Sequence, residues 1–324
     1  MLTIYRDSGG SLRTSQTPKL PDEVIWIDLL NPSDAEKEFV ESRTGLRVPS
    51  IEALSEIEST SRLIVDHGVI YLSTPLVARG DTVDYHLSPA GFVLSPRILI
   101  TVRFADLPIF HAVADKVRAD ETLRSSAGVF TTLMEALVDR GADVLERLAG
   151  ELDQVSKSVF RGDPRKPRHM VRSNEALRVA LANVGMIGDR LSQARDVFLG
   201  LDRIVPFVVS LKHDWIIPEF ESRLAAIAKD TSSLNAYEEH LSNKVQFLLD
   251  AVLGFITIEQ NDLFKILTIV SVVGIPPTVM AGIWGMNFKS MPELSWEFGY
   301  PLSLAVIVLS AVIPLIWFKS RGWF

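Results

Sequence analysis

The sequence contains no cysteine. This absence excludes a disulfide scaffold, a cysteine-ligated zinc site, an iron–sulfur protein and a thiol enzyme, and it fits a reducing compartment. Basic residues are also in deficit, because 33 Lys and Arg against 40 Asp and Glu give a net charge of −7. Nucleic-acid binding needs a basic surface, so no nucleic-acid partner is expected. The charge favours cations as partners.

Common catalytic and nucleotide-binding motifs are missing as well. The chain has neither the GxxxxGK[ST] phosphate-binding loop nor the GxSxG nucleophile motif. Its six histidines have no metal-ligand spacing and are expected to be surface or core residues: His67, His86, His111, His169, His213 and His240. We therefore expect no enzymatic activity and no organic cofactor.

Long uncharged runs are absent until the last quarter of the chain, where two occur. The first, residues 266–288, has 23 uncharged positions, and the second has an apolar core of 18, residues 301–318. A helix needs about 20 apolar residues to cross a bilayer core of about 30 Å, so both runs predict transmembrane helices, with buried core helices as the alternative. The N-terminal residues lack the pattern of a signal peptide.

The charges that flank these runs predict the orientation. Lys319 and Arg321 follow the second run, whereas the linker at residues 285–300 has a net charge of −1. The positive-inside rule then places the chain in the plasma (inner) membrane with both termini in the cytoplasm. Interfacial aromatics are expected at Trp296, Tyr300, Trp317 and Trp323. Residues 1–262 have 29 basic and 38 acidic residues, so the acidity, −9, lies on the cytoplasmic side.

The first hundred residues predict an α/β domain, because short β-branched runs alternate with turn signals. The runs are residues 2–8, 24–30, 62–77, 83–88 and 92–104. Helix starts are expected at Asn31-Pro32, with Asn31 as the cap, and at Ser50. Helical periodicity begins near Pro108 and continues over residues 128–160 and 169–202, which predicts an antiparallel pair of long helices.

A third long helix opens with a proline near its first position, Pro218, and no Pro or Gly pair stops it before the membrane. If continuous, it has about 67 residues and is roughly 100 Å long, so it is a stalk that continues as the first span. The predicted organisation is a domain at 1–217, a stalk at 218–262, a span at 263–288, an external loop at 289–300, a second span at 301–318 and a tail at 319–324.

Six of the eight positions along one face of the first span are polar or small, which a lipid-facing helix does not require. Steps of three and four residues give Asn261, Phe264, Thr268, Ser271, Ile275, Thr278, Gly282 and Gly285, and the same steps lead backwards to Thr257, Gly254 and Asp250. We call this set the polar stripe. It fits close packing of helices through small residues, or a pore lined by parallel copies of the helix. With two spans per chain, a pore requires a cyclic homo-oligomer.

The end of the first span carries a specific motif. Gly285-Met286-Asn287 is followed by Met-Pro-Glu-Leu at 291–294, and weaker matches lie at residues 26–33 and 98–103. Over essentially its whole length the chain resembles the CorA family of divalent-cation channels, in the two-transmembrane GxN superfamily. The resemblance implies a homopentamer with a cytoplasmic funnel, passing chiefly Mg²⁺, with Co²⁺ and Ni²⁺ as further cargo.

The resemblance also implies roles for particular residues. Asn287, with Gly285 and Met286, would form the outer selectivity filter for hydrated Mg²⁺, a cation held through its waters by oxygen ligands. Asp250, Asn261, Thr278 and Gly282 would line the pore, Phe264 and Leu267 would form its hydrophobic constriction, Glu293 would attract cations outside, and Lys319 and Arg321 would form a basic collar. Asn287 as a helix cap, and Glu293 as a solvated loop residue, are the alternatives.

Regulation is implied in the same way. In the family, cytoplasmic Mg²⁺ binds between subunits and holds the pore closed. Asp230 on the stalk is the candidate ligand here, and a solvated helix face is its alternative interpretation.

The chain departs from the family pattern at several positions. The basic collar keeps two cations rather than a run, Phe264 replaces a common methionine, and Pro276-Pro277 doubles a usual single proline, which predicts a kink. Two other functions stay open: a ZntB-like Zn²⁺ transporter, whose branch has a different loop after the motif, and a membrane-anchored binding protein whose spans only dimerise.

Overall fold

The computed structural model describes residues 1–8, 11–13, 20, 23–56, 62–79, 85–160, 174–286, 291 and 296–323. They fall into two compact units, Met1–Arg161 with Leu181–Leu248, and Gly162–Ala180 with Leu249–Phe324. Seven strands and seven α-helices follow one another along this part of the chain. The strands are β1 Leu2–Arg6, β2 Ser11–Arg13, β3 Val24–Leu30, β4 Leu63–Asp66, β5 Val69–Arg79, β6 Tyr85–Leu94 and β7 Leu99–Arg103. The helices are α1 Asp34–Thr44, α2 Ile51–Ser55, α3 Pro108–Ala119, α4 Ser126–Phe160, α5 Asn174–Ser210, α6 Pro218–Trp284 and α7 Gly299–Ser320.

The strands of the first unit form one sheet in the order β2-β1-β3-β7-β6-β5-β4. The β3–β7 pair is parallel, with Trp26 opposite Leu99, and the other pairs are antiparallel. Apolar side chains of one face pack against α3, α4 and α5, and those of the other face pack against α1 and α2. The result is an α/β/α sandwich, which agrees with the expected α/β class.

Strand β6 is longer than the sequence predicts. The expected separation between the runs 83–88 and 92–104 is wrong, because β6 continues across it from Tyr85 to Leu94, with Pro89 opposite Pro75 of β5. Pairing of β4 with β5 stops at Leu72, and pairing of β7 with β6 stops at Ala90. Neither proline therefore faces a third strand, and their missing N–H groups cost no bond to β4 or β7.

The start of α1 is also corrected. The expected cap Asn31 lies outside the helix with φ 45°, and its N–H donates to the Arg103 carbonyl at 2.8 Å. Ser33 is the cap instead: its Oγ accepts from the Glu36 N–H at 3.3 Å, while Glu36 Oε2 accepts from the Ser33 N–H at 2.9 Å. This reciprocal capping box satisfies two donors, which a start at Asn31 does not offer. The predicted cap at Ser50 is confirmed.

The long helices follow the predicted order with shifted ends. Helix α5 continues to Ser210 rather than 202, through Pro206, because Ile204, Val205 and Val208 are fully buried in the core. The turn expected between α4 and α5 lies outside the described residues. Helix α6 is continuous from Pro218 to Trp284, as predicted, with Pro276 and Pro277 inside it.

Close contacts within the first unit fix how α5 lies on the sheet. A Cβ on Gly200 would be 1.9 Å from Thr74 Oγ1 of β5, so the helix approaches the strand more closely than a side chain allows.

Side-chain contacts also join α6 to α4. Arg223, near the start of α6, donates twice to Glu135 of α4, at 2.7 Å each. Lys244 of α6 pairs with Asp153 of α4, and the rings of Phe160 and Phe247 stack at 5.7 Å.

Candidate functional site

The second unit contains the part of α6 that carries the predicted pore residues. From Leu253 to Trp284 no residue of this helix is buried, and Phe264 and Leu267 are 64% and 62% exposed. Both α6 and α7 are long and apolar enough to cross a membrane. Exposed apolar surface costs about 25 cal/mol per Å² in water, so lipid or another chain must cover these helices.

The threonines of the polar stripe share one hydrogen-bonding arrangement. The hydroxyls of Thr257, Thr268 and Thr278 donate to the carbonyl four residues earlier, at 2.9, 2.7 and 2.8 Å. A hydroxyl has one proton and two lone pairs, so a threonine whose proton is used in this way offers its outer side only as an acceptor. These threonines therefore present oxygen acceptors, which suit the waters around a cation.

The other predicted pore residues lie on the same helix. Asp250, Asn261, Phe264, Leu267 and Gly282 are all exposed. A Cβ on Gly282 would meet nothing within 4 Å, so its lack of a side chain leaves space beside the stripe. The described part of one chain encloses no channel along these residues.

The predicted filter is described only in part. Gly285 and Met286 follow the last turn of α6, where the Gly285 N–H donates to the Ala281 carbonyl at 2.9 Å. A Cβ on Gly285 would lie 3.0 Å from that same oxygen, so a close approach, rather than a left-handed backbone, favours glycine here. Asn287 and Glu293 lie outside the described residues.

The end of α7 carries the two predicted collar cations. Lys319 lies in the last turn, and the Arg321 guanidinium lies 5.6 Å from the centre of the Trp317 ring. Trp323, expected only as an interfacial aromatic, lines an open groove together with residues of α6. In the sequence, the only hint of this groove is the group of aromatic residues at the end of the second span, Trp317, Phe318 and Trp323.

The regulatory candidate Asp230 is exposed on α6. No group of three or more His, Cys, Asp or Glu able to hold a metal ion occurs within the described ranges. Its role as a metal ligand thus remains a prediction, for which the neighbouring subunits of an oligomer would have to supply the other ligands.

An α/β/α domain followed by two exposed apolar helices defines a membrane protein with a large water-exposed part. The family model described as "CorA-like Mg2+ transporter protein" matches residues 21–320. The chain therefore belongs to the CorA-like Mg²⁺ transporter family, a family of membrane ion transporters rather than of enzymes.

Individual relatives agree with this assignment. Magnesium transport protein CorA of Pasteurella multocida is 32% identical over 305 residues, which cover 93% of this chain and 92% of the relative. The solved complete structure of the CorA magnesium transporter from Methanocaldococcus jannaschii covers 100% of this chain and 99% of its own, with a TM-score of 0.76 and 17% identity. The ZntB cytoplasmic domain from Vibrio parahaemolyticus covers 78% of this chain and 96% of its own, with a TM-score of 0.57 and 12% identity. At such identities the two structures show the fold alone, and they confirm the expected class.

Proposed function

We propose that the chain forms a homopentameric channel that passes divalent cations, chiefly Mg²⁺, across the plasma (inner) membrane with both termini in the cytoplasm. The three threonines of the polar stripe, whose hydroxyl oxygens face outward as acceptors, carry this proposal. Mg²⁺ gives up its waters reluctantly, and those waters donate hydrogen bonds to oxygen acceptors such as Thr268 Oγ1. Since one chain offers one stripe, several copies must face each other around an axis.

The stripe divides the proposed path into zones. Asp250 and Asn261 lie at its cytoplasmic end, Phe264 and Leu267 form a hydrophobic constriction that closes by excluding water, and Thr278 and Gly282 lie above it. Gly285, Met286 and Asn287 form the outer filter, which Glu293 supplies with cations. Lys319 and Arg321 form a weak basic collar at the cytoplasmic side.

The driving force and the regulation follow from charge. A potential of 100 mV contributes about 4.6 kcal/mol for a doubly charged ion, so entry needs no nucleotide hydrolysis. Cytoplasmic Mg²⁺, bound with the help of Asp230, closes the pore as the internal concentration rises. Co²⁺ and Ni²⁺ are the expected secondary cargo.

The test is Mg²⁺ flux into liposomes with an internal fluorescent reporter. Thr268→Val keeps the shape of the side chain but removes the oxygen, and we expect flux to fall about three- to tenfold, the effect of one lost hydrogen bond. Thr268→Ser should keep most of the flux. The matched control Val270→Thr adds an oxygen away from the stripe, at a residue that is 63% exposed, and should change little. Equal flux for Thr268→Val and the unmodified chain would contradict the proposed lining.

The same liposomes decide the remaining assignments. Asn287→Ala should abolish most Mg²⁺ flux, and unchanged flux would remove Asn287 from the filter. Zn²⁺ that passes in preference to Mg²⁺ would favour a ZntB-like transporter. A monomeric or dimeric mass in detergent would favour a protein whose spans only dimerise.

A further inference from the structure

The chain after α7 turns back on itself in a defined geometry. Gly322 has φ 71°, its N–H donates to the Lys319 carbonyl at 3.1 Å, and the Trp323 N–H donates to the Phe318 carbonyl at 3.2 Å. These two bonds make a Schellman motif with glycine in the left-handed position. The motif sets the direction in which the Trp323 side chain leaves the helix.

An aromatic cluster forms at this turn. Phe318 is 2% exposed and is the one buried residue in α7. Its ring centre lies 5.0 Å from that of Trp323 and 5.2 Å from that of Trp317. Every other residue of α7 is at least partly exposed, so full burial within this helix occurs only at its C-terminal end.

The Trp323 side chain lines one wall of an open groove of about 420 Å³. The other lining residues belong to α6, where the predicted stalk meets the first span: Ile258, Asn261, Asp262, Phe264, Lys265 and Thr268. Three of these, Asn261, Phe264 and Thr268, also belong to the polar stripe. The groove thus lies on the flank of the stripe, beside the proposed constriction.

The chemistry of the groove suits an indole. Trp323 is 38% exposed at the edge of the groove, and an indole that moves further in needs an acceptor for its Nε1–H and an apolar surface for its ring. Asn261 and Asp262 supply acceptor oxygens, although Asp262 also pairs with Lys265 at 2.8 Å. Phe264 and Ile258 supply the apolar surface.

We propose that Trp323 is a positioning residue, which seats in this groove as an aromatic hook and holds the end of the second span against the first span beside Phe264. A seated ring limits how far the first span rotates, and so stabilises the closed constriction. The contact between Trp323 and the groove does not depend on the proposed function. The expected effect of this contact on cation flux does rest on the proposed function.

Chemical cross-linking tests the contact without measuring transport. Because the chain has no cysteine, the pair Ser320→Cys and Asp262→Cys introduces the only two thiols in each chain and keeps Trp323. We expect a short bifunctional maleimide to join them within one chain. The control pair Tyr300→Cys and Asp262→Cys, with Tyr300 at the other end of α7, should not be joined. A missing link, or a link between chains only, would overturn the proposal.

Flux measures the consequence of the hook. With Mg²⁺ inside the vesicles to close the pore, Trp323→Ala should raise residual flux about two- to tenfold, the effect expected for one lost aromatic contact. Trp323→Phe should restore closure, and Tyr300→Ala should leave it unchanged. A Trp323→Ala flux equal to that of Tyr300→Ala would contradict the positioning role. If the unmodified chain passes no cation, the proposed function fails, and the cross-link alone decides whether the hook exists.

Discussion

Asp28 and Arg103 form a buried ion pair between two neighbouring parallel strands. Both side chains are less than 5% exposed, and Arg103 Nη2 donates to Asp28 Oδ2 at 2.9 Å. Thr101 Oγ1 donates to Asp28 Oδ1 at 2.7 Å and accepts from Trp26 Nε1 at 3.0 Å. Burial alone disfavours the charged guanidinium, but the hydrogen bonds and charges of Asp28 and Asp106 raise the pKa of Arg103 above its usual value. The guanidinium is therefore charged throughout the accessible pH range.

Removal of one member of this pair tests its importance. Asp28→Ala leaves the Arg103 charge buried without its main partner, and we expect the free energy of unfolding to fall by about 3–5 kcal/mol. The double variant Asp28→Leu with Arg103→Met removes both charges and should recover most of this loss. Urea unfolding in detergent measures both variants. A double variant as unstable as Asp28→Ala would show that the pair acts through more than its charges.

This pair also marks a limit of prediction from the sequence. The residues are 75 positions apart, and nothing in the spacing joins them before the parallel β3–β7 pairing is known. Ser33 shows a second limit, because the sequence predicts Asn31 as the cap and the structure has Ser33. The choice between them depends on the Glu36 side chain and on the contact of Asn31 with Arg103.

At the scale of elements, the packing of α5 on β5 depends on a missing side chain. Gly200→Ala would place a Cβ 1.9 Å from Thr74 Oγ1 and 2.8 Å from its Cβ, so helix or strand must shift. We expect a loss of about 1–3 kcal/mol in the free energy of unfolding, the usual effect of overpacking.

A second glycine in a long helix provides the matched control. A Cβ on Gly150 of α4 would meet nothing within 4 Å. Gly150→Ala should therefore stabilise the chain by about 0.5–1 kcal/mol, through helix propensity alone. Urea unfolding compares the two variants, and shifts of the same sign in both would contradict the packing explanation.

The long elements are those that the sequence predicts well. Helix α6 begins at Pro218, as its proline predicts. It continues into the first span because no Pro or Gly pair stops it before the membrane. Strand β6 is predicted less well, since Pro89 signals a break unless the neighbouring strands end beside it. The spacing of the residues predicts the polar stripe. The hydrogen bonds from its threonine hydroxyls to the backbone carbonyls depend on side-chain rotamers, which the sequence does not specify.

At the scale of the whole molecule, acidity and apolarity are separated along the chain. Residues 1–262 carry a net charge of −9, whereas residues 263–324 carry +2. The last fully buried residue of α6 is Val252, and every residue from Leu253 to Trp284 is exposed or only partly buried. The division between a water-exposed part and a part that needs lipid or partner chains therefore falls just after Val252.

Two truncated chains test where this division lies. A fragment that ends at Gly254 keeps Val252 and omits the exposed apolar turns, so we expect it to stay in solution without detergent and to unfold cooperatively. A fragment that ends at Trp284 adds the exposed apolar helix and should aggregate or remain with the membrane unless detergent is present. Sedimentation and circular dichroism, with and without detergent, compare the two. Equal solubility would mean that α6 can cover its own apolar surface, and the need for lipid and for neighbouring copies of the stripe would disappear with it.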